Sequence, residues 1–158
     1  MIRLLCLTVA FCSLAGCGGG SAPAAVKETI QLASGTATLR ATITAVKVDG
    51  GEVYCAFFNA EAGFPGASPI IGGNRTVAPN SVSVVCELAQ IPAGTYALIV
   101  FQDEDGNGQL DSNAFGAPTE GYGASNNKLP ATSAPTFKDS SVAVADGATV
   151  DITINLKH

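Results

Sequence analysis

Tryptophan is absent, methionine appears once, and histidine occurs only as His158. A single imidazole at the end of the sequence is a poor place to hold a general base, which argues against a Ser–His–Asp hydrolase. It argues equally against a transition-metal centre built on imidazole. Charged residues make up only 13% of the chain, and the basic ones are scattered singly. Without a basic stripe to neutralise phosphates, nucleic acid is excluded as an expected partner. No Cys-x-x-Cys occurs, so no dithiol redox site is expected. After residue 16, no stretch reaches the roughly 18 uninterrupted apolar residues of a spanning helix. Nor does any later segment carry a convincing helical period.

What is present begins with an export signal. Arg3 supplies a short positive region, and residues 4–14 form an apolar stretch too short to span a bilayer. Leu14-Ala15-Gly16-Cys17 then matches the lipoprotein box, small residues before a Cys whose thiol receives a diacylglycerol. Residues 1–16 are therefore expected to be a signal peptide, with Cys17 the lipid-bearing first residue of the mature protein. The plainer alternative is an ordinary signal or a buried helix with a chance Cys. Several acyl chains, each CH₂ worth about 0.8 kcal/mol, would make the membrane a partner through Cys17. Residues 17–27, opening Gly18-Gly19-Gly20-Ser21, read as a flexible tether, and residues 28–158 as one domain. Loss of Arg3 leaves seven basic against 13 acidic residues, a net charge of −6. The expected location is the bacterial cell envelope. By similarity to Gram-negative lipoproteins, the absence of Asp after Cys17 points to the outer membrane, facing the periplasm or the surface.

Alternation of period two dominates the mature chain. Residues 29–33 read as a short strand. Leu39, Ala41 and Ile43 alternate with Arg40, Thr42 and Thr44, and Val46 and Val48 continue after a phase slip that suggests a bulge. Asp49-Gly50-Gly51 is a turn signal. Strands follow at 52–58 and 81–89, then a turn at Pro92-Ala93-Gly94 and a nearly all-apolar, central strand at 95–101. Residues 141–145, the turn Asp146-Gly147 and residues 149–156 read as a closing hairpin. About seven strands with turn signals between them predict an all-β antiparallel sandwich, immunoglobulin-like or transthyretin-like. Two stretches break the rhythm, residues 59–80 and residues 102–136. The second is long enough to demand something that orders it.

Five cysteines occur. Cys6 and Cys12 leave with the signal and Cys17 is lipidated. Cys55 alternates with Val53 and Phe57, and Cys86 with Val82, Val84 and Leu88, so both point to the apolar faces of their strands. In an oxidising compartment a Cys55–Cys86 disulfide is expected, the alternative being two buried free thiols.

The long second stretch opens Asp103-Glu104-Asp105-Gly106-Asn107-Gly108-Gln109-Leu110-Asp111. Oxygen-bearing side chains at relative positions 1, 3, 5 and 9, with Gly at 6, are the arrangement of a calcium loop. Calcium takes six to eight hard oxygens at about 2.3–2.6 Å, and alternate residues in a tight turn can point inward. Gly108 permits the bend, Gln109 can offer its carbonyl, and Leu110 is expected to anchor the loop in the core. Position 12, where an EF-hand places a bidentate Glu, is Ala114, and no helices flank the loop. Glu120 is the nearest carboxylate to complete the set, with Asn113 or Asn126 as neutral alternatives. Without a cation, three or four carboxylates would crowd one turn. The plainer alternative is a solvated Asp/Asn/Gly turn.

Several blocks resemble one bacterial family. They are Val53-Tyr54-Cys55-Ala56-Phe57-Phe58-Asn59 with Gly63-Phe64-Pro65, and Ile91-Pro92-Ala93-Gly94-Thr95-Tyr96-Ala97 leading through Phe101-Gln102 into the acidic loop. Phe115-Gly116-Ala117-Pro118, Glu120-Gly121-Tyr122-Gly123, Ser125-Asn126-Asn127 and Pro135-Thr136-Phe137 continue the match. The chain is similar over most of residues 39–156 to the family known as domain of unknown function 2141. The resemblance implies an exported β-sandwich of unassigned activity, and it implies that Glu120 and Asn126 belong with the acidic loop. Members often carry His where Gln102 stands and an aromatic where Ala124 stands. The Pro-x-Gly-Thr-Tyr turn is also similar to transthyretin-like and carboxypeptidase-regulatory modules, which are accessory domains.

Three functions fit these features. The first is a non-catalytic, calcium-stabilised envelope module whose loops take a glycan or protein ligand, with Tyr122, Phe115 and the Asn126-Asn127 pair as contacts. The bland account of those aromatics, and of Phe64 and Pro65, is packing beneath the loop. The second is a calcium-dependent hydrolase of envelope glycans or esters using Asp103, Asp105 and Glu120, although one calcium would consume all three. The third is a coat or assembly subunit. A cleft beside Glu120 favours binding or catalysis, whereas an exposed edge strand favours assembly.

Overall fold

A computed structural model describes residues 35–48, 51–66, 69–77 and 80–158. The signal peptide, Cys17, the tether, the strand expected at 29–33 and the turn residues Asp49 and Gly50 lie outside the described residues.

Among the described residues eight strands run in chain order: β1 Ala37–Thr44, β2 Glu52–Phe58, β3 Ile71–Thr76, β4 Ser83–Ile91, β5 Gly94–Asp103, β6 Tyr122–Ala124, β7 Val142–Val144 and β8 Thr149–Asn155. A 3₁₀ turn at Ser125–Asn127 and one helical turn, α1 Phe137–Ser140, fill part of the gap between β6 and β7. One sheet has the order β4-β1-β8. The other has the order β3-β2-β5-β6, with β7 also pairing β5. Neither sheet closes on itself, so the chain has the two-layer form of a β-sandwich.

The alternation does what its period requires. Ala37, Leu39, Ala41 and Ile43 of β1 are buried, as are Val53, Cys55 and Phe57 of β2 and Leu98 and Val100 of β5. These side chains meet between the layers in one core. The outward face of β1 is polar. Arg40 sits beside Glu87 on β4 and Asp151 on β8, within 3.0 Å and 3.4 Å of their carboxylates. Cys55 on β2 and Cys86 on β4 form a disulfide that ties one sheet to the other, with Cα atoms 6.5 Å apart. The pairing expected from the sequence is therefore present.

The phase slip after Ile43 falls at Ala45, whose φ of 56° turns the chain out of β1. Val46 is buried beyond the slip, but Val48 is exposed. Val82 also differs from expectation. It lies before β4 begins and is 64% exposed, while Val84 packs only partly on the core.

The closing hairpin is a correction. β7 pairs antiparallel with β5, through Gly94↔Val144 and Tyr96↔Val142. β8 crosses to the other layer and pairs parallel with β1, from Thr38↔Thr149 to Thr44↔Asn155. The sandwich is thus antiparallel except for this pair. The Asp146-Gly147 turn is present, with φ +67° at Gly147, but it is held by Thr36 and not by a partner strand. The crossover buries Val142 and Val144 from one sheet and Ile154 and Leu156 from the other side of the core. Alternation fixes which face of a strand is buried; it does not choose the neighbour.

Two strands escaped the sequence reading. β3 is Ile-Gly-Gly-Asn-Arg-Thr at a sheet edge, with two glycines and a single apolar residue. β6 has only three residues, Tyr-Gly-Ala, yet it pairs β5 from Ile99↔Ala124 to Phe101↔Tyr122.

The disulfide spans 31 residues, which the chain-entropy model converts to about 3–4 kcal/mol. Replacing both Cys55 and Cys86 by Ser is expected to lower the thermal midpoint by about 10–15 °C in a calorimetric melt. A fall of less than about 3 °C would show that the bridge does not constrain the chain.

Candidate cation loop

β5 is the longest strand and pairs with three others. Its last residue, Asp103, is the first residue of the acidic loop, so the loop starts from the most firmly held strand of the sandwich. Asp103 is 2% exposed. Its carboxylate accepts three backbone N–H groups: Oδ1 from Gly106 at 2.9 Å and Asn107 at 3.1 Å, and Oδ2 from Gly108 at 2.8 Å. The loop is wound around this one side chain. Gly106 and Gly108 adopt φ of +79° and +78°, a region that a side chain disfavours.

Glu120 closes the other end. It is 6% exposed and precedes β6. Its Oε1 accepts the N–H of Glu104 at 2.8 Å, and its Oε2 accepts that of Asp111 at 3.0 Å. One carboxylate therefore joins the first and last turns of the loop. Between Asp111 and Glu120 the chain forms its own small hairpin. Thr119 N–H donates to the Asp111 carbonyl, Asn113 N–H to the Ala117 carbonyl, and Ser112 bridges Pro118.

Carboxylate oxygens of Asp103, Asp105 and Glu120 lie within 4.8 Å of one another. Asp105 is exposed and the other two are buried. Neither Lys47 nor His158, which reach this end of the sheet, pairs with any of these three. The Lys47 ammonium at 2.9 Å and the His158 ring at 3.6 Å both approach the Glu104 carboxylate. His158 lies over Gly121, where an added Cβ would collide with its ring, and its Nε2 is 2.8 Å from the Ala45 carbonyl.

The structure brings some of the expected ligands together and not others. Asp103, Asp105 and Glu120 converge. Asp111 stands outside this group, but the Asn107 amide bridges to it, donating at 3.1 Å to both Asp105 and Asp111. The Asn107 Oδ1 accepts the N–H of Gln109 at 2.7 Å. Asn113 is used in its own turn, where its Oδ1 accepts from Phe115 and Ala117. Asn126 does not belong with the acidic loop, contrary to the implication of the family resemblance. Its amide donates to the carbonyls of Asp139 at 3.0 Å and Ser141 at 2.9 Å. Asn127 likewise pairs with β8, giving to Thr153 O and accepting from Asn155 N. Both amides are occupied in holding the backbone.

Leu110 does not anchor the loop in the core. It is 36% exposed. Phe115 is 95% exposed, so it is not packed beneath the loop either. Phe64 is packed, edge-on to Phe58 and Phe137 at 5.1 Å and 5.7 Å. Gln102 is fully buried, and its amide makes a two-way pair with the backbone of Lys47, 2.9 Å in each direction. The role of this side chain is structural. Sequence reasoning had no signal for it beyond its place in the central strand.

An ionised carboxylate offers about four lone-pair sites. Asp103 uses three sites and Glu120 two for N–H groups, so each keeps capacity to ligate an oxygen-seeking ion while holding the loop. The donor set is all oxygen, which suits calcium or magnesium better than a soft metal.

The model of a family described as "Uncharacterized protein conserved in bacteria (DUF2141)" matches residues 41–153. No curated protein and no solved structure matches the chain.

Removal of the Asp103 carboxylate takes the acceptor from three part-buried N–H bonds that shape the loop. Asp103→Ala is expected to cost about 2–4 kcal/mol even in EDTA. Asp105→Ala, at an exposed position, is expected to cost less than about 1 kcal/mol under the same conditions. Equal losses in urea unfolding would contradict this division of roles.

Proposed function

We propose, from the premise that the chain belongs to the bacterial family DUF2141, a non-catalytic, lipid-anchored envelope module whose long loop is ordered by calcium. The observation that carries the calcium reading is the pair of buried carboxylates, Asp103 and Glu120, with Asp105 beside them and, among the described residues, the neighbouring Lys47 and His158 turned to Glu104 instead. Buried charge is costly unless it is paired or ligates a metal. Backbone N–H groups supply part of the compensation, and a hard divalent ion would supply the rest. Asp103, Asp105 and Glu120 would hold it, with Asp111, Asn107 and the Gln109 carbonyl as the remaining oxygens of the loop.

The non-catalytic reading draws support from His158, whose ring faces a backbone carbonyl and Glu104. It is supported too by the work the carboxylates already do as acceptors for the loop backbone. A calcium-dependent hydrolase is the second reading, with the same three carboxylates as its acid–base groups. Of the two sandwich types expected, the immunoglobulin-like one gains from Tyr96. Its hydroxyl donates at 2.8 Å to the carbonyl of Pro92, a bond of the tyrosine-corner kind. Burial raises the pKa of this phenol above its ordinary value. The signal peptide and lipidated Cys17 rest on the N-terminal sequence, and they place the module at a membrane surface, the outer membrane by preference.

Calcium at about 100 times its Kd is expected to stabilise the chain by about 2.7 kcal/mol and to raise the melting midpoint by about 5–10 °C over EDTA. The Asp105→Ala variant is expected to lose most of that rise. An unchanged midpoint at millimolar calcium would leave the acidic turn as a solvated loop. For the anchor, Cys17→Ser is expected to move the protein from the membrane to the soluble fraction of cells; retention on the membrane would refute lipidation at this residue.

A further inference from the structure

The two layers differ on their outer faces. The β4-β1-β8 sheet turns Arg40, Glu87 and Asp151 to solvent, as a sheet with one wet face should. The other sheet turns Tyr54 and Ala56 of β2 and Ile99 and Phe101 of β5 outward, and all four are half-buried. Loops cover this face without filling it. A cavity of about 870 Å³ lies between the sheet and two segments, residues 110–118 and 129–135. The first segment is the small hairpin pinned by Asp111 and Glu120. At the floor, the rings of Tyr54 and Phe101 stack on each other, with centroids 4.9 Å apart and planes 4° from parallel, so each covers one face of the other. At one side β3 contributes Gly72 and Gly73, which bring no side chains to fill the space.

Among the described residues no charged side chain lines this cavity, although the most acidic segment of the protein adjoins it. Its polar side-chain groups are few hydroxyls, among them Ser112, Thr132 and Ser133. Small-molecule sites are concave, span roughly 300–1,000 Å³ and are mostly apolar with a few orienting polar groups. An anion would meet the acidic loop at the rim, and a cation would find no counter-charge inside. A sugar would leave most of its hydroxyls without partners against apolar walls. A flat, uncharged ring system can pack against this aromatic pair, edge to face or offset, and bury apolar surface on the walls around it. We propose that this cavity is a binding site for a small, uncharged, ring-containing apolar ligand. Phe115, 95% exposed at the mouth, closes over the bound molecule. The floor, which belongs to β2 and β5, stands apart from the calcium reading, and only the wall at residues 110–118 adjoins the acidic loop.

The test is photolabelling of the full chain in detergent with a neutral naphthalene carrying a diazirine, and with its sulfonated counterpart. Labelled residues are mapped by mass spectrometry. The neutral probe is expected to label residues 54–58, 99–101 and 110–118, and the sulfonate at least about tenfold less. Ile99→Trp, which fills the floor, is expected to abolish the label, and Val85→Trp on the opposite outer face to leave it intact. Ala56→Phe is a second filler should Ile99→Trp fail to fold. Labelling spread evenly over the surface, equal labelling by the sulfonate, or undiminished labelling of a folded filler variant would overturn the proposal. So would cross-links between two copies through residues 110–118, which would identify a second chain as the occupant.

Discussion

A carboxylate held out of water at the end of the central strand is the constraint on which the functional half of this molecule depends. Asp103 ends β5 and gathers three backbone N–H groups into its two oxygens. Glu120, entering β6, gathers two more from opposite ends of the same loop. Five peptide dipoles therefore converge on two buried negative charges. The 16 residues between them need no helix or strand of their own, because both ends are tied to the sheet. Without these two side chains the loop would be an excursion of the kind that compact domains rarely tolerate.

The same arrangement joins loop to surface. Asp111 and Glu120 bracket the hairpin that forms one wall over the outer face of β2 and β5. Whatever stiffens the carboxylate cluster also fixes that wall. Two layers tied by Cys55–Cys86 form a stable base, and the variable chemistry sits on one side of one sheet. This is a common division between scaffold and site. The opposite face, with Arg40 between two carboxylates, is an ordinary wet sheet surface.

Much of the fold was legible. The buried residues of β1, β2 and β5 follow from period-two alternation, and the disulfide follows from two cysteines on inward positions. The parallel pairing of β8 with β1 was not legible, because a hairpin and a crossover have the same alternation and the same Asp-Gly turn. Nor were β3 and β6, where glycine and three-residue length leave no period to read. At the site, Asp103, Asp105 and Glu120 were identified from spacing and proximity. The family resemblance misplaced Asn126, whose amide caps the chain near α1 instead. Leu110 looked like a core anchor by its hydropathy alone, yet it faces the outer side of the sheet. The apolar outer face itself carried a signal. β5 is apolar on both sides in Ala-Leu-Ile-Val-Phe, which a sheet with one solvated face would not be.

Calorimetric titration of the chain with calcium, after exhaustive removal of metal, bears most directly on the central claim. The account predicts one calcium per chain, with the heat lost in Asp105→Ala while that variant stays folded. A flat titration up to about 1 mM, the weak end of extracellular calcium modules, would contradict it. The two buried carboxylates would then be complete with their backbone partners alone.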